Sequence, residues 1–79
     1  MSKRGLSIVF SQVLKKHRLA QKLSQEALAE MADVHPTYIG LLERGLRTPS
    51  IDVADRLSKA LGKSLSELIA EAEKGIKEK

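Results

Sequence analysis

The side chains best suited to chemistry in this 79-residue chain are two histidines and the acidic residues near the second of them. His17 and His35 lie 18 positions apart, and the absence of cysteine excludes thiolate chemistry and cysteine-ligated zinc. Asp33 and Glu43 flank His35, but their spacing matches no metal-ligand motif. Paired carboxylates and a glycine-rich phosphate loop are also missing. We therefore expect no catalytic residue, no metal and no cofactor, and we do not expect an enzyme.

Charge is distributed unevenly along the chain, whose net charge is +4. Residues 1–25 carry six basic side chains and no acid, residues 26–49 carry two arginines and four acids, and residues 50–79 are balanced. A basic N-terminal third indicates an anionic partner such as a phosphate backbone, and a solvated basic helix face is the alternative. No apolar run approaches the roughly 20 residues of a membrane span. We expect a cytoplasmic protein with no membrane partner.

Residues 25–49 show the pattern of two short helices joined by a turn. Ser24 is a favourable N-cap for the first helix, and the turn follows at Asp33. Pro36 suits the first position of the second helix because its missing N–H has no partner there. Gly45 is typical of the residue just after a helix, so this second helix should run from Pro36 to about Arg44. The inward residues of the first helix are Leu28, Ala29 and Ala32.

Three further helices are predicted around this pair, which makes the fold class all-α with five helices. Helix 1 covers about residues 7–21, and helix 5 starts at Ser64, whose spacing to Glu67 is that of a capping box. Residues 1–79 should form a single domain with its core at about residues 6–72 and a charged tail at 73–79 that frays. Helix 4 follows a cap at Ser50, and its predicted buried stripe is Ile51, Ala54, Leu57 and Leu61.

These residues resemble the Cro/CI-type helix-turn-helix regulators, and above all the controller proteins of restriction–modification systems. The resemblance covers about residues 6–70 and depends on a small residue, Ala29, followed by apolar residues at fixed offsets, Val34, Ile39 and Leu42. It implies a lambda-repressor-like DNA-binding domain, in which the central helix-turn-helix places helix 36–44 in the major groove. An ordinary helical hairpin, the alternative, would also carry apolar residues at these offsets.

Four positions depart from the family pattern. The family usually has glycine where this chain has Lys22 and Asp33. Aspartate can adopt the left-handed conformation, whereas lysine should either strain the joint or extend helix 1. His17 occupies a usually aliphatic core position, where we expect a buried neutral ring with one hydrogen bond. Pro36 replaces a residue that is polar or basic in many relatives, so it offers only apolar contact, for example to a thymine methyl.

The resemblance assigns DNA contacts to two groups of residues. Side chains near the start of the recognition helix should face base edges, and these are His35, Pro36, Thr37, Tyr38 and Leu41. Phosphate contacts are expected at the start of helix 2 and after the recognition helix, from Gln25, Arg44, Arg47 and Thr48, with Lys22 and Arg4 as weaker candidates. For Tyr38 the alternative is packing against helices 1 and 2, and for each arginine it is a solvated surface charge.

Two further sets of residues receive structural roles from the resemblance. Arg18 and Glu43 match a partly buried salt bridge that joins helix 1 to the end of helix 3. A homodimer is implied, with a palindromic double-stranded DNA operator as its ligand, and RNA polymerase stays open as a protein partner. The expected dimer interface is the apolar face of helix 5, formed by Leu65, Leu68, Ile69 and Ala72, and ordinary core packing of that face is the alternative.

A protein-interaction module is the alternative function, because some relatives act as antitoxins or coactivator-like adaptors. In those proteins the last helices bind another protein, and an extended tail beyond the core would favour that function. Only about six residues follow the predicted core here, so we expect DNA binding instead.

Overall fold

The computed structural model describes residues 5–77. Their backbone forms five α-helices and no strand, namely α1 (Leu6–Ala20), α2 (Gln25–Ala32), α3 (Pro36–Glu43), α4 (Ile51–Ala60) and α5 (Leu65–Lys77). The predicted all-α, five-helix fold is confirmed, and the helix ends lie close to their predicted positions. Arg4, a weaker phosphate candidate, falls outside the described residues.

Serine side chains begin three of the five helices. The Oγ atoms of Ser24 and Ser50 each accept a hydrogen bond from the backbone N–H three residues later, at 2.9 and 3.1 Å. At α5, Ser64 Oγ accepts from the Glu67 N–H at 3.1 Å while Glu67 Oε1 accepts from the Ser64 N–H at 2.8 Å. The backbone N–H of Ser64, followed by its hydroxyl, lowers the pKa of the Glu67 carboxyl. These caps satisfy backbone donors that have no partner inside the helix.

Residues in the left-handed conformation lie at the ends of the first four helices. Asp33 has φ 59° at the α2–α3 turn, as expected for a residue that tolerates this conformation. Lys22 also has φ 59°, so of its two expected outcomes the structure adopts the strained joint, and α1 stops at Ala20. Such a conformation costs a residue with a Cβ roughly 1–2 kcal/mol. The short α1–α2 joint therefore keeps its geometry at the expense of some stability.

Residues of all five helices contribute to the core, and α1 and α2 support α3 directly. α1 packs against α3 and α5, whereas α2 packs against α3 and α4. Ala29 is fully buried, which lets α3 approach α2 closely at that point. The underside of α3 is anchored by Ile39 and Leu42, both buried. Because one face of α3 is packed in this way, the opposite face is the one directed at solvent.

Two sequence-based expectations about apolar faces need correction. Ile51 is 75% exposed, because it occupies the first turn of α4 where no neighbouring helix covers it, and the buried stripe starts at Ala54. On α5, Leu68 and Ala72 are 1% and 0% exposed within one protomer, so they belong to the core and cannot add contact area to a dimer. Of the predicted interface, Leu65 and Ile69 remain, both partly buried.

α5 continues beyond residue 72 into the segment predicted as a charged tail. It extends to Lys77, with Gly75 and Ile76 half-buried. A Cβ on Gly75 would lie 3.4 Å from Val9 Cγ1, so this last part of α5 packs closely against α1. Among the described helices, none combines the length and the apolar character that crossing a bilayer requires.

Candidate nucleic-acid interface

α3 begins with a cap supplied by His35. The Nδ1 atom of His35 accepts a hydrogen bond from the Thr37 N–H at 3.1 Å, and Pro36 occupies the first turn. Accepting at Nδ1 requires an unprotonated nitrogen there, so the neutral ring carries its hydrogen on Nε2. His35 and Thr37 are both exposed. The start of α3 therefore presents two polar side chains with a hydrogen-bond donor each.

α3 ends in a tight reversal at Gly45. Gly45, with φ 75°, donates its N–H to the Leu42 carbonyl at 3.0 Å, and the Leu46 N–H donates to the Leu41 carbonyl at 2.9 Å. This pair of bonds is the Schellman motif, which satisfies the last carbonyls of a helix and turns the chain away. The reversal brings two exposed polar residues next to the end of α3, Arg47 and Thr48.

The expected ion pair between Arg18 and Glu43 is present beneath the end of α3. Arg18 Nε donates to Glu43 Oε2 at 2.7 Å, and Arg18 Nη2 donates to Glu43 Oε1 at 3.0 Å. Arg18 Nη1 also donates to the Leu23 carbonyl at 2.7 Å, so one guanidinium ties α1 to the α1–α2 joint and to α3. Both charged side chains are nearly buried, and the positive charge of Arg18 neutralises the carboxylate of Glu43.

Gln25 at the start of α2 joins the same network. Its Nε2 donates to Glu43 Oε1 at 2.9 Å, which holds the side-chain amide against α3. Sequence reasoning missed this contact, because the two residues are 18 positions apart and no local pattern links them. Arg44, one residue beyond α3, folds back so that its Nε donates to the Gly40 carbonyl at 3.2 Å. The two predicted phosphate contacts, Gln25 and Arg44, are thereby brought together over α3.

The predicted DNA-contact residues differ in the exposure of their side chains. His35, Thr37, Arg44, Arg47 and Thr48 are exposed, whereas Gln25, Pro36, Tyr38 and Leu41 are half-buried. Tyr38 packs against the core, so its ring takes part in packing as well as in the surface of α3. Neither Arg44 nor Arg47 forms an ion pair with another residue between 5 and 77. The segment just after α3 therefore carries two exposed cations without an ion-pair partner among these residues.

His17 lies apart from this face, in the groove between α1 and α5. Its Nε2 is 2.9 Å from Glu71 Oε1, and Lys16 bonds the other oxygen of the same carboxylate. The hydrogen bond from His17, and then that from Lys16, lowers the pKa of the Glu71 carboxyl. The ring has one hydrogen-bond partner, as expected, but it is half-buried rather than buried. Over residues 5–77, no three histidine or carboxylate groups cluster closely enough to hold a metal ion.

Comparison with known proteins places this arrangement in a family. The helix-turn-helix model HTH_3 matches residues 14–68. Control protein C.BamHI from Bacillus amyloliquefaciens is 40% identical over 66 residues, which is 82% of each chain. Control protein C.MunI from Mycoplasma sp is 39% identical over 70 residues, covering 87% of this chain and 95% of the relative.

A solved structure agrees with the sequence comparisons. The wild-type restriction–modification controller protein C.Esp1396I superposes with a TM-score of 0.87 at 30% identity, covering 98% of this chain and 100% of that one. These relatives are named as control or controller proteins rather than as enzymes. The resemblance inferred from the sequence is thus confirmed, and the chain belongs to the helix-turn-helix family, in which it is similar to restriction–modification controller proteins.

Proposed function

We propose that this protein is a sequence-specific transcriptional regulator that binds double-stranded DNA as a homodimer, with α3 in the major groove. The observation that carries the proposal is the geometry of α3. Ile39 and Leu42 anchor one face in the core, and the opposite face exposes Thr37 and Arg44. A helix held rigidly in this way, with polar and cationic groups outward, has the shape and the charge that the major groove accepts.

The proposed contacts divide into base edges and phosphates. Thr37 and His35 lie at the start of α3, where side chains reach base edges in helix-turn-helix proteins. Arg47 follows the reversal at Gly45 and is exposed without an ion-pair partner among residues 5–77, so we assign it to a phosphate. A phosphate contact contributes to affinity on every sequence, whereas a base contact changes the preference among sequences.

The salt dependence of binding tests this assignment. A dimer that neutralises roughly 6–10 phosphates loses about 10³–10⁵ in affinity between 50 and 200 mM salt. Fluorescence anisotropy with labelled duplexes should show this loss for the wild type. Arg47→Ala removes one phosphate contact from each protomer, so it should weaken binding to all duplexes equally and reduce the slope by about two. Thr37→Ala should instead alter the ranking of duplexes. Lys59→Ala, which removes a charge paired with Asp55 on α4, is the control and should leave the slope unchanged.

Two outcomes would contradict the proposal. A wild type whose affinity does not respond to salt would exclude the phosphate contacts and favour the protein-interaction alternative. An Arg47→Ala variant that changed only sequence preference would show that the division between phosphate and base contacts is wrong.

The homodimer follows from the small size of one protomer's contact. α3 has eight residues, and a single short helix reads too few base pairs for selective binding. A two-fold arrangement would place two α3 helices about one DNA turn, roughly 34 Å, apart, on a palindrome whose half-sites are about 10 base pairs apart. We assign the contact to α5, through the apolar residues that the core only partly covers, Leu65 and Ile69.

Sedimentation equilibrium tests the dimer. Wild type should be dimeric at micromolar concentration, and Ile69→Lys should be monomeric with an unchanged far-ultraviolet circular dichroism spectrum. Ala70→Lys adds the same charge at the next, exposed position of α5 and should remain dimeric. A wild type that stays monomeric at high micromolar concentration would refute the homodimer. An Ile69→Lys variant that unfolds would show that Ile69 belongs to the core instead.

A further inference from the structure

The side chains that cap the helices of this protein differ in their response to pH. Three helices, α2, α4 and α5, are capped by the hydroxyl groups of Ser24, Ser50 and Ser64, which do not ionise in water. Among the described helices, α3 alone is capped by a histidine, because His35 Nδ1 accepts the hydrogen bond from the Thr37 N–H at 3.1 Å. An imidazole ring takes up a proton between about pH 5 and pH 8. The titratable cap thus belongs to the helix that we propose for the major groove.

The first turn of α3 depends on this side-chain bond. Pro36 has no N–H, and the Tyr38 N–H donates to the His35 carbonyl at 3.0 Å. The Thr37 N–H is therefore the donor in this turn that needs a side-chain acceptor. His35 has φ −76° and ψ 139°, the extended conformation that a following proline favours. The backbone thus holds the neutral ring where Nδ1 can accept the bond.

Protonation of His35 removes the cap. Both nitrogens of a protonated ring carry hydrogen, so Nδ1 can no longer accept a hydrogen bond from the Thr37 N–H. The new positive charge also lies at the positive end of the helix dipole, which is unfavourable. Loss of an N-cap shifts the equilibrium of a helix toward its open form by about 2- to 30-fold. Acidification should therefore loosen the turn that carries Thr37.

No ion pair in this structure offsets the lost bond. α3 packs directly against α1 and α2. The charged and titratable side chains of these three helices, of the α2–α3 turn and of the first residue after α3 are Lys15, Lys16, His17, Arg18, Glu26, Glu30, Asp33, Tyr38, Glu43 and Arg44. Lys16 and His17 bond Glu71, and Arg18 bonds Glu43. None of the ion pairs among residues 5–77 includes His35, so its protonation removes a hydrogen bond without forming a salt bridge.

We propose that His35 makes sequence discrimination by α3 depend on pH, with discrimination high when the ring is neutral and low when it is protonated. This inference rests on the proposed DNA-binding function and adds its regulation. Base readout needs an ordered first turn of α3, whereas a phosphate contact such as that assigned to Arg47 does not. Each protonated ring also adds a positive charge, which strengthens binding to any duplex. Acidification thus lowers the preference among sequences and not the overall affinity for DNA.

Fluorescence anisotropy with two duplexes at constant salt tests the inference. One duplex is selected from a random library by untagged wild type at about pH 8, and the other is a scrambled duplex of the same composition. Because a dimer carries two caps, the ratio of the two affinities should fall at least about fivefold between about pH 8 and about pH 5.5. The scrambled duplex should be bound equally well or more tightly at the lower pH.

Two variants separate the cap from other titrating groups. Asparagine is a favourable N-cap without a titrating ring, so His35→Asn should show the same affinity ratio at both pH values. His17→Gln removes the other histidine of the chain and should keep the wild-type response to pH. In the free proteins, the NMR signal of the Thr37 amide should shift over this pH range in wild type and in His17→Gln, and stay constant in His35→Asn.

Three results would overturn the inference. The first is a Thr37 amide signal in wild type that ignores pH, since the cap would then not titrate. The second is a His35→Asn variant that keeps the full response of the affinity ratio, and the third is an equal response of both duplexes in wild type. A wild type without DNA affinity at either pH would instead refute the proposed function, and the inference with it. The affinity of wild type for the selected duplex at about pH 8 therefore distinguishes the two failures.

Discussion

Replacing Arg18 by alanine should remove a large part of the stability of this protein. The guanidinium makes three hydrogen bonds, two to the Glu43 carboxylate and one to the Leu23 carbonyl, at 2.7–3.0 Å. Arg18 is only 7% exposed, so these hydrogen bonds lie where bulk water has little access. In Arg18→Ala, the Glu43 carboxylate would keep a single neutral donor, Gln25, in a nearly dry site.

The expected loss follows from the burial of the pair. Breaking a buried ion pair by removing one partner typically costs about 3–5 kcal/mol, because a charge is left unpaired. A domain of this size has a free energy of unfolding of about 4–12 kcal/mol at roughly 0.05–0.15 kcal/mol per residue. The variant should therefore lose between a quarter and nearly all of its stability. The double variant Arg18→Met/Glu43→Leu should be more stable than Arg18→Ala, because no buried charge is left over.

Urea unfolding followed by circular dichroism at 222 nm gives the measurement. The control is Lys59→Ala, which breaks the exposed pair between Lys59 and Asp55 on α4, 2.9 Å apart. An exposed pair four residues apart contributes only about 0.3–0.5 kcal/mol. If Arg18→Ala lost no more stability than Lys59→Ala, the reasoning from burial would be refuted.

Three further variants have expected effects on stability. Lys22→Gly should raise the free energy of unfolding by about 1 kcal/mol, because glycine adopts φ 59° without strain; an unchanged urea midpoint would show that the joint is relaxed. The hydroxyl of Ser11 is buried without a hydrogen-bond partner among the described residues, so Ser11→Ala should be more stable by roughly 1 kcal/mol, and destabilisation would reveal a partner. His17, and then Lys16, holds the pKa of the Glu71 carboxyl below its ordinary value of 4.5. The ionised carboxyl therefore stabilises the folded protein fully above pH 4.5, and this contribution is lost as the pH falls through the lowered pKa. Urea midpoints between pH 7 and pH 3 should therefore fall more steeply for wild type than for Glu71→Gln, and parallel profiles would contradict this.

The residues of α5 that stay accessible for the proposed dimer are the feature that the sequence predicts least, because burial on α5 depends on how the helices cross. Leu68 and Ile69 are neighbours in the sequence with similar apolar side chains. The structure buries Leu68 in the core, on the inner side of α5, and leaves Ile69 partly covered. Apolar periodicity identifies a face of a helix, but the angle of the neighbouring helix decides which residues on that face remain accessible. The same reason explains Ile51, which continues the pattern of α4 one turn beyond the helices that cover it.

Local sequence patterns were sufficient to predict the helices, their ends and the family to which the chain belongs. The caps at Ser24, Ser50 and Ser64 and the stop at Gly45 were predictable, because each depends on groups within a few residues along the chain. The network around Glu43 was only partly predictable. Its pairing with Arg18 follows from the family resemblance, whereas the bond from Gln25 to Glu43 joins residues of two separate helices. That bond exists because tertiary packing sets α2 across α3, and no spacing in the sequence encodes the distance between two side chains on different helices.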